Sequence, residues 1–222
     1  MTITIETLDH VQEGISALIA REQRFGDMLA VTGMPPLRRL PGGFPGLVRI
    51  ITEQQLSLAS AAAIWGRMQS LHGPIEPARM LSLADDDFRA AGQSAAKIKT
   101  IRALSRALVE GHLDIAALDR AEDDHIRRQL TSVPGIGPWT AEVYLLACLG
   151  RPDAWPAGDL ALQVATQAGL GLATRPDARA MIRLAECWRP WRAVAARLIW
   201  AYYATLKTST KSAPRLHEVI ST

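Results

Sequence analysis

The stretch Leu130-Thr-Ser-Val-Pro-Gly-Ile-Gly-Pro-Trp-Thr-Ala141 decides how this chain is read. Helical patterning runs up to Leu130 and resumes at Pro138, so the turn between them is very short. Gly135 and Gly137 tolerate positive φ and leave no Cβ to obstruct an approaching backbone. Pro138 suits the first turn of the following helix, where its missing N–H costs nothing. Leu130, Val133 and Ile136 are spaced to hold the two helices together from inside. N–H groups of the turn and of the second helix then face outward and make an anion-attracting surface. On geometry alone the segment is either a phosphate-binding hairpin or a tight helical corner with no ligand.

Working outward, the chain reads as helix after helix. Ala, Leu and Arg dominate, and no stretch sustains the period-two alternation of a strand. Helices are expected at Thr7–Ala20, Arg24–Val31, Leu47–Gln54, Ser57–Leu71, Pro77–Leu83, Asp85–Ala90 and Ser94–Glu110. After these come Glu122–Leu130, Pro138–Leu149, Asp159–Ala168, Asp177–Cys187 and Pro190–Leu206. Ser57 and Ser94 read as N-caps. The fold class is therefore all-α, in two lobes. Residues 33–46, rich in Pro and Gly, and 113–119 read as crossings between them. Lobe one is then about 33–113, and lobe two is 1–32 with 114–206. Residues 207–222 form a polar tail with a turn at Pro214–Ile220.

The 222 residues carry 48% apolar side chains, enough for a substantial core, so wholesale disorder is excluded. Charges or prolines interrupt every apolar run before it reaches membrane-span length. The acidic start, Met1 to Gly14, lacks the layout of an export signal, so a cytoplasmic protein with no membrane partner is expected. Met1–Leu37 carries two basic and five acidic residues, a charge of −3, which leaves +6 for the remainder. That balance is compatible with an anionic partner without demanding one. Two cysteines, Cys148 and Cys187, cannot form a four-thiolate metal or iron–sulfur site, and both read as buried packing residues. No two of the five histidines are four residues apart, so a histidine metal site has no support.

Four motifs in order resemble one family. Leu-x-x-Val-Pro-Gly-Ile-Gly-x-x-Thr-Ala is similar to the helix-hairpin-helix of the base-excision DNA glycosylases named for that hairpin and a following Gly/Pro-rich loop with an aspartate (HhH-GPD). Pro156-Ala157-Gly158-Asp159 supplies the loop and the acid, twenty-two residues after Gly137. Ile51-Thr-Glu-Gln-Gln-Leu-Ser57 resembles the family's I-x-x-Q-Q-x-S helix end. Trp188-Arg-Pro-Trp-Arg192, with Ile199-Trp200, looks like the C-terminal helices of the 3-methyladenine glycosylase II (AlkA-like) branch. The resemblance covers roughly 47–206. It implies a two-lobed helical fold with the active-site cleft between lobes, in a compact form without the extra N-terminal sheet domain of longer members.

By that resemblance Asp159 is the catalytic acid. Cleaving an N-glycosidic bond passes through an oxocarbenium-like sugar, which a nearby carboxylate stabilises, and the same group can orient or deprotonate the attacking water. Asp159 also reads as a helix N-cap. Family members that cut the strand carry a Schiff-base lysine two residues after the second hairpin glycine. Trp139 stands there, which implies base release without lyase activity. Trp139 and Trp200, with Tyr144 and Tyr202, are the base-pocket candidates, because an indole face attracts a cationic alkylpurine such as 3-methyladenine or 7-methylguanine. Trp65, Trp188 and Trp191 read as core. Val143 and Ala201 occupy positions where tyrosines occur in relatives, so the lesion range stays open.

The implied partner is double-stranded DNA containing alkylated bases, bound by a monomer that flips the target base out of the stack. Gln55 is the gap-filling side chain by resemblance. Gln54 beside it contacts a base edge or braces the turn. Gly135, Gly137 and Thr140 complete the expected DNA contacts. Lys97 and Lys99, on one helix, either touch a phosphate or are merely solvated; they are read as solvated and left out of the site. No organic or redox cofactor is expected. The family's hairpin holds a monovalent cation, sodium or potassium, on main-chain carbonyls, here those of Thr131, Val133 and Ile136. Two alternatives stay open: a non-catalytic helix-hairpin-helix DNA binder, and a glycosylase for another lesion such as uracil or a mismatched base.

Overall fold

Apolar residues at helical spacing and side-chain caps at their starts divide this chain into thirteen α-helices among the described residues. The structure, a computed structural model, describes residues 4–212, apart from the side chains of His72 and of residues 209–212. No strand occurs among them. The helices are α1 (Leu8–Ile19), α2 (Arg24–Thr32), α3 (Gly43–Glu53), α4 (Leu58–His72), α5 (Pro77–Ser82), α6 (Asp85–Ala91) and α7 (Ala95–Val109). They continue with α8 (Ile115–Leu118), α9 (Asp123–Thr131), α10 (Pro138–Val143), α11 (Leu160–Gly169), α12 (Ala178–Ala185) and α13 (Arg192–Ser212). Thr7, Ser57, Ser94, Asp114, Asp159 and Asp177 each accept a hydrogen bond from an N–H in the first turn of the helix they start. Each such cap contributes about 0.5–2 kcal/mol.

Several boundaries differ from expectation. α3 starts at Gly43, inside the Pro/Gly connector, because Pro45 falls in the first turn, where a missing N–H costs nothing. α8 forms in the segment read as a crossing, since the Asp114 carboxylate caps the N–H groups of Ala116 and Ala117. α10 passes into a π-helical turn, Tyr144–Cys148. α13 runs on to Ser212, so the polar stretch from Lys207 continues the helix instead of opening a tail. The expected turn at Pro214–Ile220 lies outside the described residues.

The chain forms two units, residues 38–156 and residues 1–37 with 157–222. The first division falls inside the expected connector at 33–46. The second lies at 156/157 and not at 113–119, so the lobe boundaries read from the sequence are corrected: the hairpin belongs with residues 38–113. The reason is packing. α8, α10 and the Tyr144–Cys148 turn all lie against α3, whose Phe44, Leu47, Val48, Ile50 and Ile51 are buried. Each apolar side chain so buried contributes about 1.5–3 kcal/mol. α4 and α7 also pack on α3, and α5 packs on α7.

In the second unit α13 is the hub, with α1, α2 and α11 packed on it. Ala193, Val194, Ala195, Ala196, Leu198 and Ile199 are completely buried there, and the alanines among them allow close approach. A Cβ on Gly14 of α1 would lie 2.7 Å from the Trp191 ring and 2.8 Å from Val194, so only glycine fits that crossing. Trp188 is buried edge-on against Phe25, with ring centres 5.1 Å apart. Two expected core residues are not in the core. Cys187 is exposed, in a 3₁₀ turn (Glu186–Trp188) that points its thiol at the Leu184 carbonyl. Trp65 is half-buried, with the Arg49 guanidinium 5.8 Å above its ring. Cys148 is buried as expected, and burial pushes its thiol up to about 12, leaving it chemically inert.

Candidate functional site

The hairpin between α9 and α10 forms as its spacing dictates. Leu130, Val133 and Ile136 are buried, and the turn is closed by Val133 N–H to Leu130 O (3.2 Å) and Ile136 N–H to Val133 O (3.0 Å). The two glycines have different jobs. Gly135 has φ of +91°, and a Cβ there would lie 2.0 Å from Thr100 Oγ1 on α7, so conformation and close approach both demand glycine. Gly137 sits in extended backbone as the N-cap of α10 with open space around its Cα, so packing does not require it. Both are at the surface. Trp139, in the first turn of α10, is half-buried.

Thr140, expected at the DNA, is buried instead, and its hydroxyl accepts a hydrogen bond from Gln54 Nε2 at 2.8 Å. That contact is the product of folding. It joins the C-cap of α3 to the first turn of α10, eighty-six residues later. Gln54 therefore braces the turn. Gln55 is exposed, with φ of +58°. Lys97, read as solvated, is half-buried, and its ammonium donates to the carbonyls of Thr52 (2.8 Å) and Gln54 (2.9 Å). No local pattern signals that contact, because the residues are far apart in the chain.

Tyr144 is a correction. It is completely buried in the unit of residues 38–156, where its hydroxyl donates to Asp119 Oδ1 (2.6 Å) and accepts from Gly43 N–H (2.9 Å). Burial and then the Asp119 hydrogen bond push its ionisation well above the usual tyrosine range. It holds the start of α3 and does not line a pocket. Glu142 was not singled out from the sequence. From α10 it binds Arg127 of α9 (2.6 Å) and accepts the Trp155 N–H (2.8 Å), tying the hairpin to the loop at 150–156. The carbonyls of Thr131, Val133 and Ile136 are hard oxygen donors of the kind a monovalent cation takes. Thr131 ends α9, where carbonyls lack helical partners, and Val133 O also accepts the Ile136 N–H.

In the other unit Asp159 is the N-cap of α11 and half-buried. Its Oδ1 accepts the Leu162 N–H at 2.9 Å and the indole N–H of Trp200 at 3.1 Å. The capping reading of Asp159 is met in that oxygen, and Trp200, a pocket candidate, donates to the same atom. Gln163 Nε2, from the next turn of α11, donates to the Ala157 carbonyl at 3.1 Å and steadies the approach to Asp159. Tyr202 does not join this pair. Two residues along a helix are about 200° apart in direction, so Trp200 and Tyr202 face opposite ways. Tyr202 lies against Gly169, at the far end of α11 from Asp159.

The model of the HhH-GPD superfamily of base excision DNA repair proteins matches residues 48–191, which span both the hairpin and the Asp159 loop. The chain belongs to that superfamily. Its relatives include a Mycobacterium tuberculosis protein described as a probable bifunctional transcriptional activator/DNA repair enzyme AlkA, 35% identical over 78% of this chain. The match spans 37% of that relative's own length. Among solved structures, a DNA-3-methyladenine glycosidase from Bacillus halodurans superposes with a TM-score of 0.73 at 30% identity, covering 93% of this chain and 94% of the other. The Schizosaccharomyces pombe 3-methyladenine DNA glycosylase Mag1, solved with abasic DNA, gives 0.78 at 25% identity, covering 88% and 97%. Among the described residues no helix is long and apolar enough to cross a membrane.

Proposed function

We propose that this protein is a monofunctional DNA glycosylase that excises alkylated purines, 3-methyladenine and 7-methylguanine, from duplex DNA. The observation that carries the reading is the Trp200 indole N–H on Asp159 Oδ1. A residue that only capped α11 would need no aromatic donor. A carboxylate that must face a developing sugar cation needs its orientation fixed, and a two-donor clamp on one oxygen supplies that. The hairpin takes the DNA backbone through the N–H groups of its turn and of α10, without reading sequence. Gln55 fills the gap left by the flipped base. Trp139 offers a π face to a cationic base, and with no amine at that position hydrolysis by an activated water is the outcome. Thr131, Val133 and Ile136 would hold a sodium or potassium ion against a DNA phosphate, and the enzyme works as a monomer.

The test is incubation with randomly methylated duplex DNA and identification of the released bases. Release of 3-methyladenine and 7-methylguanine is the expected result. DNA binding without base release would establish the non-catalytic binder instead, and preferential release of uracil would move the enzyme to another lesion class.

A further inference from the structure

The turn that follows α3 is held under conformational strain from three directions, all within the unit of residues 38–156. Gln55 adopts φ of +58°, a left-handed conformation that a glutamine enters only when its surroundings impose it. On one side, Gln54 Nε2 is bonded to Thr140 Oγ1 at 2.8 Å. On a second, the Thr52 hydroxyl donates to Val48 O (2.8 Å) and accepts from Gln93 Nε2 (2.8 Å), fixing the last turn of α3. The third is Lys97, whose ammonium spans the carbonyls of Thr52 and Gln54 at 2.8 and 2.9 Å.

Those carbonyls are groups that the end of α3 leaves without helical partners, at the negative end of its dipole. A cation set on them fixes the peptide that leads into Gln55. Burial lowers the Lys97 pKa from the usual lysine value, so seating the charge there is not free for the fold. Stability accounts for a cation on those carbonyls, but not for a glutamine in the turn that follows them. A glycine at position 55 would take the left-handed turn without strain. Glutamine there is strained and exposed, with Leu56 and Leu58 exposed beside it.

We propose that Lys97 is a positioning residue for Gln55, clamping the end of α3 so that the Gln55 side chain is presented to the duplex in one orientation. This rests on the proposed role of Gln55 as the gap-filling side chain. Lys97 touches no reacting atom. It acts only through the turn.

The test is a double-mutant cycle on binding to a duplex with one tetrahydrofuran abasic site and 2-aminopurine opposite it, whose fluorescence reports insertion at the gap. Lys97→Met should weaken binding on the order of tenfold, the effect of losing a charged hydrogen bond, and lower the fluorescence change. Lys97→Arg, which keeps the donors, should recover most of both. Lys99→Met, removing the same charge from an exposed position on the same helix, should alter neither. In a Gln55→Ala background, Lys97→Met should add no further loss. Should Lys97→Met fail to fold, the smaller loss of Lys97→Arg serves in its place, and it too must vanish in the Gln55→Ala background. Additive losses, or unaltered insertion in Lys97→Met, would overturn the proposal. Abasic binding needs no base release, so a protein that inserts Gln55 yet frees no alkylpurine would refute the proposed activity and leave Lys97 in place.

Discussion

The indole N–H of Trp200 and the backbone N–H of Leu162 converge on a single oxygen, Oδ1 of Asp159, at 3.1 and 2.9 Å. One donor comes from α13 and the other from α11, so the carboxylate is fixed by the crossing of two helices. Capping and orientation can therefore be separated by substitution.

Asp159→Asn should abolish base release and leave binding to abasic DNA largely intact. Asparagine caps helices about as well as aspartate, so the melting temperature should barely change. Asp159→Ala removes the cap as well and should cost about 1 kcal/mol of stability. Excision of 3-methyladenine by the asparagine variant at near the wild-type rate would refute the catalytic assignment.

Trp200→Phe keeps an aromatic ring and deletes only the N–H. Loss of one hydrogen bond to a charged group, about 1.5–3 kcal/mol, should appear in kcat as a fall of roughly ten- to a hundredfold, with KM for alkylated DNA changed much less. A variant whose loss lies wholly in KM would make Trp200 a binding residue with no bearing on Asp159.

Under the proposed function Trp139 sets reaction class and lesion choice together. Borohydride should trap no covalent adduct with the wild-type protein, and strand breaks should appear only after alkali or a separate lyase. Trp139→Ala should lose excision of cationic lesions by about 2 kcal/mol, roughly thirtyfold. Neutral uracil and hypoxanthine should be released more slowly than 3-methyladenine, since neutral bases are poorer leaving groups. A trapped adduct, or faster uracil release, would contradict this.

The hairpin glycines should respond in opposite ways. Gly135→Ala places a Cβ 2.0 Å from Thr100 Oγ1 at φ of +91° and should destabilise the fold by about 1–3 kcal/mol or more, as seen in thermal melts. Gly137 has open space, so Gly137→Leu should fold normally and weaken binding to all DNA sequences alike, with affinity falling steeply in salt. Unchanged DNA affinity of a folded Gly137→Leu protein would take the hairpin out of the interface.

The all-helical class, most helix positions, the hairpin and the Asp159 loop were legible in the sequence because each depends on residues close together in the chain. Apolar spacing, a capping side chain, and a proline or glycine at a helix end act over one or two turns. Where such local signals were outweighed, boundaries moved. α3 absorbed Pro45, α13 ran past Lys207, and the second division between units shifted to 156/157 because packing on α3 kept the hairpin with that helix.

The sequence by itself thus determined most of the helical segments, where the tight turn lies, and that an acid and several tryptophans accompany it. Only the tertiary structure decided what each side chain does. Gln54 and Gln55 are adjacent and chemically identical, yet one is drawn to Thr140 and the other is left exposed. Tyr144 and Trp200 both read as pocket candidates, yet the Tyr144 hydroxyl meets Asp119 and Gly43 while Trp200 meets Asp159. Lys97 and Lys99 share one helix, and one of them reaches the end of α3. A hydrogen bond or a close contact depends on distances of a few tenths of an ångström between residues twenty-five or more positions apart, and no spacing within the chain encodes them.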